Sequence, residues 1–234
     1  DICRENKIEI DTEAFEVSMK SQKTMARESG KFNTTKTLPY EGTDTEFLGY
    51  IDTHSSSKIV AMFKDSNELK ELKEGDEAIL ILDKSPFYAE SGGQVGDSGY
   101  IKTKDAKFHV QDTLKIKKNV FGHIGVLESG SLKCNEQVEA LIDEHRRNDI
   151  KRNHSVTHLL HKALKIILGD HVEQKGSLVD NLKTRFDFSH TKPISNDEIQ
   201  QIESIVNNEI LTNKVTTTEM MSIDKAKESG ALML

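Results

Sequence analysis

The chain has 234 residues, with 32 Lys and Arg against 39 Asp and Glu and a formal net charge of −7, the size of one large domain or two small ones. With 35% hydrophobic and 30% charged residues and no low-complexity tract it can bury a core, which excludes dominant disorder. No apolar run approaches the roughly 20 residues that span a bilayer. No basic-then-apolar leader is visible, and the two cysteines, Cys3 and Cys134, are too few for a disulfide scaffold. A reducing, cytoplasmic setting with no membrane contact is expected. The chain opens at Asp1 and closes on Gly230-Ala231-Leu232-Met233-Leu234, which reads as an excerpt of a longer protein.

In chain order, Asp11-Thr12-Glu13 offers an N-cap ahead of Phe15, Met19 and Ala26, apolar positions at helical spacing. This predicts a helix from about Thr12 to Glu28, ended by Gly30. Residues 31–43 carry Pro39, Gly42 and several Thr without a period and read as a linker, so the helix is assigned to a preceding domain. From 45 to 143, short runs rich in β-branched or aromatic residues (46–52, 58–64, 77–83, 100–104, 107–114, 120–127 and 137–143) alternate with turn signals such as Gly92-Gly93 and Asp97-Ser98-Gly99. Strands at this spacing predict a barrel or sandwich. After Asp143 the period becomes helical through Ile150, Leu159, Leu160, Ala163, Leu164 and Ile167 to Gly169, about 25 residues. Strand-like runs at 172–179 and 184–189 follow, then a helix capped near Ser195 or Asn196 running to about Thr212, a strand at 214–220 and a short helix from Ser222. The second half is α+β.

Candidate chemistry lies in three stretches. Arg146, Arg147, Lys151, Arg152, Lys162 and Lys165 form a basic stripe with Asp149 as the one acid among them, either a solvated helix face or a phosphate contact. Within it, His154-Ser155-Val156-Thr157-His158 puts two imidazoles four apart on a helix, where both can reach one metal ion. Nine histidines in 234 residues give about 0.3 such pairs by chance, so the pair alone is weak. Ser155 stands where a zinc protease carries Glu, which argues against that chemistry. His161 shares the face but lies nearly two turns, about 10 Å, from His154.

Phe87-Tyr88-Ala89-Glu90-Ser91-Gly92-Gly93-Gln94-Val95-Gly96-Asp97 has neither a dinucleotide fingerprint nor a phosphate loop. It reads as a hairpin turn or as backbone that must come close to a ligand. Gln174 falls in His171-Val172-Glu173-Gln174-Lys175-Gly176-Ser177; as a strand this puts Val172, Gln174 and Gly176 on one face, with Gln174 at an edge or lent to a site.

Taken together, the ordered set Phe87 to Gln94, His154-Ser155-Val156-Thr157-His158-Leu159-Leu160-His161, Gln174-Lys175-Gly176-Ser177-Leu178-Val179 and Arg185-Phe186-Asp187-Phe188 resembles the editing region of the alanyl-tRNA synthetases. The resemblance spans the whole chain, with Phe15, Glu16, Met19, Gln22 and Arg27 similar to the helix that leaves the family's tRNA-recognition region. Threonyl-tRNA synthetases share the two-histidine pattern, but the stretch from Phe87 to Gly99 is closer to the alanyl family. The resemblance implies hydrolysis of the ester joining serine or glycine to alanine tRNA. It implies His154 and His158 as zinc ligands and Gln174 as a catalytic-site residue. Glu90, Gly92, Gly93, Gln94 and Thr157 would bind substrate, and Arg147, Lys151 and Arg152 would meet the phosphates of the tRNA acceptor end. In the family the zinc shell is completed by a Cys and a His four apart, expected beyond Leu234; Cys3 and Cys134 do not match that motif. ATP and magnesium would serve only an aminoacylation domain elsewhere in the synthetase chain, which is itself an expected partner.

The expected architecture is α+β: a helical arm and linker over 1–43, a small antiparallel β-barrel over 44–143, and an α+β editing core with a long helix on a sheet over 144–234. Two other functions stay open at this stage: a tRNA-docking module without chemistry of its own, and a free-standing deacylase of the same family.

Overall fold

The computed structural model describes residues 11–28 and 38–229, except 216, 218 and 220. Helix α1 (Thr12–Glu28) starts where expected, capped by the Asp11 carboxylate, which accepts from Ala14 N at 2.9 Å. Its expected stop at Gly30, Cys3 and the stretch 230–234 lie outside the described residues.

The barrel is built from β1 (Glu46–Phe47), β2 (His54–Lys64), β3 (Asn67–Glu68), β4 (Glu71–Lys73), β5 (Glu77–Leu82), β6 (Lys84–Ser85), β7 (Gly99–Lys102), β8 (Lys107–Lys117), β9 (Val120–Ser129), β10 (Ser131–Lys133) and β11 (Gln137–Ile142). Six of these close a ring in the order β2, β5, β9, β8, β7, β11 and back to β2, each pair antiparallel. Closure removes the open sheet edge. The ring interior is filled by Ile59, Met62, Leu80, Leu82, Phe87, Ile101, Phe108 and Leu127.

β2 and β5 are also covered on their outer face, where Ala61, Phe63, Ile79, Ile81, Val120 and Ile124 form a second cluster with Leu38 and Tyr40. This bears on the last residues of the linker expected over 31–43. Of its described part, Leu38 and Tyr40 are buried, and Lys117 Nζ donates to Tyr40 O, because an apolar outer face on these strands needs a cover. The run expected over 46–52 shrinks to Glu46–Phe47. Leu48 O takes the amides of both Ile51 and Asp52 at 3.1 Å, turning the chain and leaving Tyr50 and Ile51 exposed.

Helix α2 (Glu144–Leu168) has the expected 25 residues, with Asp143 as N-cap and Gly169 as C-cap. It packs on the antiparallel pair β12 (Gln174–Val179) and β13 (Thr184–Phe188) and on α3 (Asn196–Leu211). The shared core is Ala163, Leu164, Val172, Ile202 and Val206. Ser195 closes a capping box with Glu198 at the head of α3. Of the strand expected over 214–220, the described residues Lys214, Val215, Thr217 and Glu219 are irregular, and Val215 is 92% exposed, so this β-branched side chain has no sheet to pack on. Helix α4 (Ile223–Glu228) closes the described chain, capped by Ser222.

Candidate functional site

The long helix is fixed to the barrel at its first turns. Arg147, 6% exposed, donates from Nε to both Asp97 carboxylate oxygens at 2.9 Å, from Nη1 to Gly49 O at 2.9 Å and from Nη2 to Pro86 O at 3.0 Å and to Asp97. Asp97 also takes the Tyr88 amide at 2.7 Å, and Arg146 Nη1 reaches Gly96 O at 2.7 Å. Arg147 was expected to meet tRNA phosphates; it is instead a clamp inside the protein. A buried carboxylate requires such a partner, and no face of this guanidinium is left for a ligand. Lys151 and Arg152 remain exposed, Arg152 with an ion pair to Asp149.

The glycine stretch of the barrel makes a two-residue turn. Ser91 and Gln94 exchange backbone hydrogen bonds at 3.2 and 3.1 Å, with Gly92 and Gly93 between them at φ +61° and +81°, the conformation that favours paired glycines. The turn docks on β12: Val179 N donates to Gly93 O at 2.8 Å and Val95 N to Val179 O at 3.1 Å. A Cβ on Gly93 would lie 2.4 Å from Ser177 O, whereas one on Gly92 would meet nothing. Gly93 is thus needed twice, for its backbone angle and for the close approach.

Docking carries Gln94 to the helix. Gln94 Oε1 accepts from His154 Nδ1 at 2.7 Å, and His154 Nε2 lies 3.1 Å from His158 Nε2. Because the amide oxygen only accepts, Nδ1 holds the His154 proton and Nε2 keeps a lone pair aimed at His158. Burial, with the neighbouring His158 second, holds His154 below the usual histidine pKa, so the ring is neutral at pH 7. Two nitrogen ligands of one tetrahedral zinc stand about 3.3 Å apart, and ligating histidines characteristically have their other nitrogen held by an acceptor. The donor pair fits half of a zinc site. Among the described residues no group of three His, Cys, Asp or Glu comes together to hold a metal.

The remaining candidates surround this pair unevenly. Thr157 is buried, and its hydroxyl sits between Asn153 O at 2.8 Å and Thr184 Oγ1 at 2.5 Å. It braces α2 against β13. Asn153 Nδ2 adds a second brace to Asp180 O at 2.8 Å. Glu90 is exposed, yet partial desolvation and then Asp112 push its carboxyl above the usual range. Gln174 is half-buried on β12, opposite Phe188, with its Oε1 buried and unpartnered. The sequence reading missed the Asp97–Arg147 clamp and the Gln94–His154 bond, since both join residues at least 50 apart in the chain.

Residues 1–146 match the family model described as tRNA synthetases class II (A), a span that takes in the glycine turn and the first turn of α2. Over its full length the chain is 50% identical to an alanine-tRNA ligase of Polynucleobacter asymbioticus and 50% identical to one of Delftia acidovorans. It is 49% identical to one of Methylobacillus flagellatus. Each alignment covers 100% of this chain and 27% of the relative, so the chain spans about a quarter of the length of these proteins. The chain is similar along its whole length to alanine-tRNA ligases, and it belongs to the class II (A) tRNA synthetases.

Proposed function

We propose that the chain carries the editing site of an alanine-tRNA ligase, which hydrolyses the ester joining serine or glycine to alanine tRNA. The observation that carries this reading is the convergence of His154 and His158 at 3.1 Å with Gln94 brought from the barrel onto His154. The chemical need is plain: an apolar pocket rejects an isostere that merely adds a hydroxyl by only about 10²-fold, so a second, hydrolytic site is required.

His154 and His158 would hold zinc together with a Cys and a His beyond Leu234, and the ion, when bound, would activate water and polarise the ester carbonyl. The protein's own contribution is orientation. Gln94 fixes the His154 tautomer, the Gly92-Gly93 turn forms one wall, and Gln174 would offer an amide to the substrate from β12, the strand on which that turn docks. Lys151 and Arg152 would steer the acceptor-end phosphates. ATP and magnesium would act only in the aminoacylation domain, and the boundaries near 43 and 143 separate arm, barrel and editing core in this reading. No described helix is long and apolar enough to cross a membrane, in keeping with a cytoplasmic ligase. The test is Gln174→Ala in the full-length protein. Deacylation of seryl-tRNA should fall by about 10²-fold while alanine attachment is kept, the cost of a lost polar group near developing charge. Unchanged deacylation would return Gln174 to a strand-edge role.

A further inference from the structure

Among the described residues, two buried side-chain polar atoms lack a hydrogen-bond partner: His161 Nε2 and Gln174 Oε1. Buried polar atoms are nearly always paired, and an orphan costs stability, so two in one place call for an explanation. They do share one place. Gln174 is the cross-strand partner of Phe188, and directly opposed residues face the same side of a sheet. Phe186 and Phe188 lie two apart on β13 and share that side, with ring centroids 6.1 Å apart. The His161 ring lies 5.1 Å from Phe186. Both orphans therefore line the seam between α2 and the β12–β13 pair, one helical turn beyond His158, about 5 Å along the axis.

Both orphans are acceptors. His161 is 5% exposed, and burial is the largest influence lowering its pKa, opposed by a hydrogen bond to the Val172 backbone. A neutral imidazole has one nitrogen without a proton, and Nε2 is the one left buried without a partner. Gln174 presents an amide oxygen. Phe186 beside His161 and Phe188 opposite Gln174 supply apolar walls. The seam thus lacks two donors on a small, largely apolar group.

We infer that His161 is a specificity-determining residue: its Nε2 accepts the β-hydroxyl of a seryl ester while Gln174 Oε1 accepts from the amino group of the same residue. The inference rests on the editing reading above and adds to it the means by which serine is distinguished. A serine ester carries both donors on adjacent carbons; a glycine ester carries only the amino group and leaves His161 unused, as an alanine ester does. An acceptor for the hydroxyl adds an interaction that only the seryl ester makes, while the glycyl ester is still held by its amino group.

The test compares single-turnover deacylation of seryl- and glycyl-tRNA by the full-length ligase, as wild type, His161→Leu and His161→Gln. His161→Leu should slow the seryl ester roughly 10²-fold and the glycyl ester less than about 3-fold. His161→Gln, which keeps an acceptor oxygen, should recover part of the seryl rate. Retained glycyl hydrolysis also reports that the variants fold. Equal slowing of both esters, or no slowing, overturns the role of His161 and leaves the editing reading standing. A wild type that hydrolyses neither ester removes the editing reading and this inference with it.

Discussion

His123 is enclosed by the barrel, with Nδ1 on Leu80 O at 2.9 Å, Nε2 on Ser85 Oγ at 2.7 Å and the Phe87 ring edge-on at 5.1 Å. Nδ1–H donates to the carbonyl, so Nε2 accepts from the serine and the ring has no room for a second proton. Burial accordingly pushes its pKa down to about 4 from 6.5. The unfolded chain then binds this proton more readily than the folded one between those values. Stability is complete above pH 6.5 and is lost as pH falls toward 4, by about 3 kcal/mol at the lower end from this group alone. Urea unfolding at pH 7.5, 5.5 and 4.5 should show that fall, and a flat profile would contradict the account of the ring. Side-chain roles of this kind were the least legible in the sequence. Arg147 and Arg152 stand in one basic stripe, yet one is sealed against Asp97 and the other is exposed, because burial is decided by what the barrel brings opposite. Gln94 read as part of a glycine-rich loop; its bond to His154 spans 60 residues and has no local signature.

Elements were read more fully, since period and caps are local. The 25 residues of α2 follow from Asp143, the apolar spacing and Gly169, and α3 follows from its Ser195–Glu198 box. The failures are as instructive. The apolar, β-branched content of 46–52 and 214–220 suggested strands, but a strand exists only where a neighbour accepts it, and among the described residues of these runs only Glu46–Phe47 finds one. The Gly92-Gly93 turn shows how one element serves the site. Gly92→Ala places a methyl in open space and suffers only the left-handed backbone cost, about 1 kcal/mol. Gly93→Ala suffers that cost and drives its methyl to within 2.4 Å of Ser177 O, forcing the turn off β12 and Gln94 off His154. Thermal midpoints and seryl-tRNA deacylation of the two variants should separate them. Gly93→Ala is expected to lower deacylation more than about 10-fold and Gly92→Ala less than about 3-fold, since a ligand histidine that loses its orienting partner typically costs 10- to 100-fold. Equal effects would remove the docking argument.

At the scale of the molecule, the barrel strands and the β12–β13 pair meet along α2. The barrel closes through β11 on β2, Gln137 opposite Lys58 through Leu141 opposite His54, a pairing of residues about 80 apart that sequence periodicity does not encode. The barrel then holds the helix through Arg147 and feeds the glycine turn onto β12, while the helix offers His154 and His158 at the seam. Strand content and the helix–sheet half were legible from pattern; closure, register and this seam arise from long-range contacts. The central claim is that the seam is where a mischarged ester is hydrolysed. It is tested most directly by single-turnover deacylation of seryl-tRNA by the full-length ligase carrying His154→Ala and His158→Ala together, with alanine attachment measured in parallel. The account predicts a loss of deacylation of at least about 10²-fold with attachment within about twofold of wild type, since the proposed function assigns attachment to a domain outside this chain. Deacylation at the wild-type rate in that variant would contradict it.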